Sequence, residues 1–289
     1  MMSYKIITDS CCDFTKQQYL DLNLSYVPLT LLYKGSSWDS FTEPEELHAF
    51  YDGIRGGEMP TTSAVNPDGW SRIMRPILEE GKDVLCLAFS SGLSTTYQSA
   101  VIAADELKEE FPDRTIRVID TLCAARGQGL LVWHACKHRD AGMDLEELTA
   151  WVEENKHHLA HWVTVDDLNH LKRGGRVSAT TALVGGLLNI KPIIHVDENG
   201  KLDTVGKVRG RKAAIELLAN KVAELGAGYD NETVFVAHGD CPEDAAALAE
   251  AIKAKCPFVN EVQIGYVGGV IGAHTGPGVL VSFFLGKEK

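Results

Sequence analysis

Apolar runs and amphipathic stretches alternate along this chain at the spacing of βα units. Residues 4–8 read as a short strand and residues 14–21 as a helix. Residues 25–33 form a second strand in which Pro28, lacking a donor, predicts an edge or a bulge. Thr42, followed by Pro44 and Glu45, starts a helix that runs to Ile54, and Asn66-Pro67 opens another over residues 68–80. Residues 83–89 have the continuous apolar character of a buried strand. Residues 94–111 read as an amphipathic helix and residues 115–120 as a strand, before helices at 124–139 and 144–157. Strands separated by helices predict a mostly parallel sheet. In such sheets ligands sit beyond the carboxyl ends of the strands. Three small polar loops follow strands here: Asp9-Ser10, the run from Ser90 to Ser94, and Asp120-Thr121.

Beyond His161 the pattern changes. Residues 162–165 lead into a polar segment over 168–178, and β-like runs at 190–196 and 201–208 flank Asp197-Glu198-Asn199-Gly200, a strong hairpin signal. Helices at 211–225 and 242–255 alternate with strands at 233–238, 260–264 and 279–284. The expected fold is α/β in two parts. A parallel-sheet α/β/α domain covers 1–160, and a second α/β domain with a mixed sheet covers 161–289. No Pro/Ser-rich linker separates them, so the two are expected to pack together.

Composition narrows the functional classes. With 289 residues, 45% hydrophobic and 24% charged, the chain can bury a sizeable core. No apolar run approaches the roughly 20 residues that span a bilayer. The N-terminus enters a strand directly, so no signal peptide is expected. The seven cysteines are scattered without a Cys-x-x-Cys pair, which predicts a reducing, cytoplasmic setting without structural zinc. A net charge of −12 argues against a nucleic-acid partner, which would need a basic face. The ten histidines form no metal constellation, and neither Gly-x-Gly-x-x-Gly nor a P-loop is present. No cofactor is expected.

Five polar clusters carry the chemistry. Ser90-Ser91-Gly92-Leu93-Ser94-Thr95-Thr96 sits at a strand-to-helix junction, where hydroxyls and free amides either cap the helix or hold an anion. Thr61-Thr62-Ser63 reads as a loop before a helix, relevant to a ligand if it converges on Ser94. Leu171-Lys172-Arg173-Gly174-Gly175-Arg176-Val177-Ser178 is a compact basic loop in an acidic protein. Lys207-Val208-Arg209-Gly210-Arg211-Lys212 repeats that theme at a strand-to-helix transition. Backbone nests and arginine forks of this kind suit phosphate or partner docking. The fifth cluster, residues 269–278, holds four glycines and a proline around His274. It reads either as a turn with His274 at its tip or as a loop that presents His274 to a ligand.

Taken together these segments are recognisable. Through Ile7-Thr8-Asp9-Ser10, Thr62-Ser63, the run from Ser91 to Ala100, Leu171 to Ser178, Lys191-Pro192-Ile193, Lys207 to Gly210 and Gly272 to Gly278, the chain resembles the DegV family of bacterial fatty-acid-binding proteins. That family includes the FakB subunits of fatty acid kinase. The resemblance runs end to end. It implies one long-chain fatty acid in a buried tunnel between and within the domains, its carboxylate met by Thr62, Ser94 and His274. Ser63, Thr95 and Gly272 would stand beside them. It further implies a separate ATP-using kinase subunit as catalyst, with Arg173, Arg176, Lys207 and Arg209 as a surface for that partner or the new phosphate, and transient membrane contact. Two positions depart from the family pattern. Ala64-Val65 stands where Gln-Pro is frequent, and Thr95 stands where Gly is frequent. The competing classes are an acyl hydrolase using Ser94 and His274, a kinase related to the dihydroxyacetone kinase fold, and a lipid-responsive regulator without a kinase partner.

Overall fold

The computed structural model describes residues 4–40, 42–177 and 189–289. Its first part runs β1 (Tyr4–Asp9), α1 (Lys16–Asp21), β2 (Ser25–Val27), β3 (Thr30–Tyr33), β4 (Ser36–Asp39), α2 (Pro44–Arg55), β5 (Thr61–Ser63) and α3 (Pro67–Glu79). There follow β6 (Asp83–Ala88), α4 (Thr96–Glu110), β7 (Ile116–Asp120), α5 (Ala125–Asp140) and α6 (Leu145–Asn155). The second part comprises β8 (Leu159–Thr164), α7 (Asn169–Arg173), β9 (Ile190–Val196), β10 (Leu202–Arg209) and α8 (Arg211–Leu225). It ends with β11 (Thr233–His238), α9 (Pro242–Lys255), β12 (Glu261–Tyr266), α10 (Gly269–Thr275) and β13 (Leu280–Leu285). Ser178, the last residue of the basic loop, lies outside the described residues.

Strands β2-β1-β6-β7 form a wholly parallel sheet. Its strands are apolar on both faces because helices cover both. Trp70 and Met74 of α3 and Ala100 of α4 meet Ile7 and Val84 on one face. Leu131 and Ala135 of α5 and Leu148 of α6 meet Ile6 and Leu85 on the other. This is the α/β/α arrangement that the alternation predicted.

The second sheet has the order β10-β9-β8-β13-β11-β12. Its β11–β12 pair is parallel and its other pairs are antiparallel, hence the mixed sheet. Strand β13 is buried throughout, since alternate side chains enter different cores. Val281, Phe283 and Leu285 face the core shared with α5. Leu280 and Phe284 face α8 and α9. Helix α5 therefore lies between the two sheets, and one apolar cluster runs from Ile6 through Leu131 to Phe283. Gly129 permits this approach: a Cβ there would lie 2.7 Å from the Cys12 carbonyl oxygen. The expected boundary between residues 160 and 161 falls inside β8, where both residues pair with β13.

A third, antiparallel sheet, β4-β3-β5, was not expected. The single strand anticipated over 25–33 breaks at Pro28-Leu29, and its halves enter different sheets. Pro28 cannot donate to a ladder, and the Leu29 amide donates to Ser10 Oγ at 3.0 Å instead. Thr61–Ser63, read as loop, is an edge strand with Leu31 opposite Thr62. The glycine-rich segment read as a loop or turn is helical up to Thr275. Glycine disfavours a helix by about 1 kcal/mol per residue. Here packing overrides propensity: a Cβ on Gly272 would lie 2.5 Å from Tyr51 Oη. Gly276 and Gly278, at φ 72° and 79°, then turn the chain into β13.

Candidate functional site

Where the loops after β2, β6 and β7 face the six-stranded sheet, the fold encloses a cavity of about 690 Å³. This is the carboxyl-end position expected of an open α/β sheet. Sites that enclose small molecules measure about 300–1,000 Å³. Its walls are largely aliphatic and aromatic: Val163 of β8, Ile194 of β9, Leu202 of β10, Val281 and Phe283 of β13, and Ile271 of α10. Thr62, Ser94, Arg176 and His274 line the same cavity.

These polar residues come from four separate elements and are joined by a chain of contacts. Pairing of β5 with β3 sets Thr62 beside α10, where Thr62 Oγ1 and His274 Nε2 share a hydrogen bond of 2.8 Å. The other side of the imidazole rests on Gly174, where a Cβ would lie 2.3 Å from Nδ1. Arg176 Nη1 donates to the Gly174 carbonyl, and Nε donates to the Leu93 carbonyl at 3.2 Å. Leu93 precedes Ser94, whose hydroxyl contacts Thr96 Oγ1 at 2.9 Å and accepts the Thr96 amide at 3.2 Å. Helix α4 begins at Thr96, so Ser94 partners the first amide of the helix from outside it. Thr95, the residue at the cap position, makes no side-chain cap.

The electrostatics of this end follow from burial. Burial first, and then the neighbouring Arg176, hold the His274 pKa down at about 4. Burial also lowers the pKa of Arg176. Among the described residues no carboxylate pairs with Arg176, whose guanidinium rests on carbonyl oxygens. A half-buried cation with no counter-ion among the described residues, a neutral imidazole and two hydroxyls suit an anion with several acceptor atoms. A lowered histidine pKa means that the unfolded chain takes up the proton first. His274 therefore removes stability as pH falls from 6.5 toward about 4, and removes none above that window. In ligand-free protein the His274 ring should be neutral at pH 6.5, its Cε1–H NMR resonance titrating with a midpoint of about 4. A midpoint at the ordinary 6.5 would contradict this account.

Ser63 and Thr95 also line the cavity. The remaining sequence candidates lie elsewhere. Gly272 does not reach the cavity; it packs against Tyr51, and its amide is used by the Gly268 carbonyl. Arg173 is exposed and contacts His170 Nδ1 at 2.8 Å. Lys207 and Arg209 are exposed on the edge strand β10 and are absent from the cavity wall. Arg176, grouped with these as a surface for a partner or the new phosphate, lines the cavity.

Sequence reasoning passed over the braces that hold the site. Asp9 accepts the Phe89 amide at 2.7 Å and the Cys11 amide at 2.9 Å, which ties the end of β1 to the base of the serine-rich loop. Burial raises its pKa to about 6, against these two amides. Its signal was visible as a polar residue at a strand end, but a brace and a ligand contact look alike there. His48, Asp52 and Asp240 form a surface grouping of metal-ligand type, in which the Asp240 carboxylate already pairs with Arg55.

Comparison with known proteins is consistent along the whole chain. The family described as "Uncharacterised protein, DegV family" matches residues 3–287. A DegV domain-containing protein of Clostridium perfringens is 42% identical over 290 residues, covering 100% of this chain and 99% of its own. A Thermus thermophilus structure described as fatty acid binding of a DegV family protein superposes with a TM-score of 0.85 at 32% identity. It covers 99% of this chain and 100% of that one. A DegV lipid-binding protein of Thermotoga maritima gives a TM-score of 0.85 at 31% identity, with 100% of both chains covered.

Proposed function

This chain belongs to the DegV family, and from that premise we propose that it holds one long-chain fatty acid in the central cavity. The carboxylate lies against Thr62, Ser94, His274 and Arg176, with the tail along the wall built by β8, β9 and β13. One observation carries the reading: an apolar cavity whose polar groups include an arginine without a carboxylate partner among the described residues. Burying a sixteen-carbon tail at roughly 0.8 kcal/mol per methylene contributes on the order of 10 kcal/mol before ordering costs. The polar end adds orientation, because a buried carboxylate must be hydrogen-bonded or paired. The family relationship extends the proposal to presentation of that carboxylate to a separate ATP-dependent kinase, with catalysis in the partner. Arg173, Lys207 and Arg209, exposed on this chain, suit contact with such a partner.

Hydrolysis by Ser94 and His274 finds less support. The Ser94 hydroxyl is engaged with Thr96 and the imidazole with Thr62, and an imidazole with a pKa of about 4 is a weak base at neutral pH. Native mass spectrometry of the protein purified from a bacterial host, followed by lipid extraction, tests the binding proposal. One fatty acid per chain is expected. A protein that emerges empty and takes up neither palmitate nor oleate would refute it. Transfer of the ATP γ-phosphoryl group to the bound acid by a fatty acid kinase subunit tests the carrier role separately.

A further inference from the structure

The hydroxyl-rich loop is divided in its work. Ser91, Leu93, Ser94 and Thr95 line the cavity, but Ser90 does not. Ser90 is fully buried, and its hydroxyl points away to the tip of the β9–β10 hairpin. There Ser90 Oγ donates to the Gly200 carbonyl at 2.7 Å and accepts the Gly92 amide at 3.1 Å. The two surfaces meet with no room for side chains. A Cβ on Gly92 would lie 2.6 Å from the Asn199 carbonyl oxygen, and one on Gly200 would lie 2.1 Å from Ser90 Oγ. Gly200 also has φ 71°, which favours glycine.

The tip is itself preformed. Asp197 Oδ1 accepts the amides of Asn199 and Lys201, and the Gly200 amide donates to the Asp197 carbonyl. The hairpin supplies cavity wall on both sides of that tip, through Ile194 and Val196 before it and Leu202 after it. Its outer strand β10 is a sheet edge, and its ladder with β9 is irregular between Thr204 and Gly206. On the other side of the contact, the Ser90 carbonyl accepts the amides of Leu93 and Ser94, and the Leu93 carbonyl holds Arg176.

We propose that Ser90 is a positioning residue whose hydroxyl latches the hairpin tip over the cavity, and that this latch sets how fast ligand exchanges. The inference rests on the fatty-acid reading for its ligand but not for the latch. Releasing the tip breaks one neutral hydrogen bond and a glycine–glycine contact, without moving Thr62 or His274. Entry and exit should therefore quicken together.

The test uses the full chain and a fluorescent long-chain fatty acid displaced by excess oleate in stopped flow. Ser90→Ala should raise the association and dissociation rates by a similar factor of about five to ten, the scale of the neutral hydrogen bond lost between loop and hairpin tip, with little change in Kd. Ser90→Thr, which keeps the hydroxyl, should restore slow exchange. Gly92→Ala, which pushes the tip away, should behave as Ser90→Ala does. Unchanged rates, or a faster release matched by an equal loss of affinity, would overturn the proposal. Hydrogen exchange of ligand-free protein gives an answer even if no fatty acid binds. Ser90→Ala should speed exchange of the amides at 199–202 by about the same factor. Unchanged protection there would overturn the latch, whereas a confirmed latch in a protein that takes up no fatty acid would refute only the ligand assignment.

Discussion

Arg176→Met should weaken binding of palmitate or oleate by about ten- to a hundredfold at neutral pH, the scale of hydrogen bonds made by charged groups. Methionine keeps much of the apolar stem and removes the guanidinium, so the cavity wall is largely preserved. The arginine rests on the Leu93 and Gly174 carbonyls and has no carboxylate partner among the described residues. A ligand carboxylate would supply the missing counter-charge at a site where burial already disfavours the cation. The neutral methyl ester of the same acid lacks that charge, and its affinity should hardly change. Calorimetric titration of acid and ester against both proteins makes the comparison. Equal losses for the two ligands would mean that Arg176 acts through the Leu93 loop and not through charge.

Val281→Trp should have a still larger effect. Val281 is the second residue of β13, is paired with Val163 and Ala237, and faces the cavity. An indole there takes up space along the wall. Excluding about six methylenes at roughly 0.8 kcal/mol each removes about 5 kcal/mol, more than a thousandfold in affinity. Because the ring enters an existing cavity, stability should fall by no more than the roughly 1–3 kcal/mol typical of overpacking. The variant should purify as a folded protein, by circular dichroism and thermal unfolding, without long-chain acid in native mass spectra. Stoichiometric retention of the acid that the parent chain carries would show that the tail does not pass β13.

Much of the architecture was legible because its causes are local. The continuous apolar run of β6 and the amphipathic run of α4 each announce their own burial. Asp-Glu-Asn-Gly at 197–200 specifies its hairpin through its own side chain and glycine. Three misreadings share a cause. The strand at 25–33 divides because Ser10 takes the Leu29 amide. Thr61–Ser63 becomes a strand only because β3 lies beside it. The segment from Gly269 becomes a helix because it packs on α2, through Tyr51 and Phe50 against Gly272. In each case a partner distant in sequence outweighs a weak local preference.

The candidate site divides in the same way. The chemical types are readable from the residues alone: the hydroxyl-rich turn before α4, the basic glycine loop, one imidazole among glycines, and enough apolar strand to wall a cavity. Tertiary structure alone decided which of these meet. It turned Arg176 inward beside His274, left Arg173, Lys207 and Arg209 outside, assigned Ser90 to the hairpin and Ser94 to the cavity, and set Thr62 against His274 across 212 positions of chain. The physical reason is one of range. Propensity, capping and turn chemistry act over a few residues, whereas burial and pKa depend on what the folded chain brings from elsewhere.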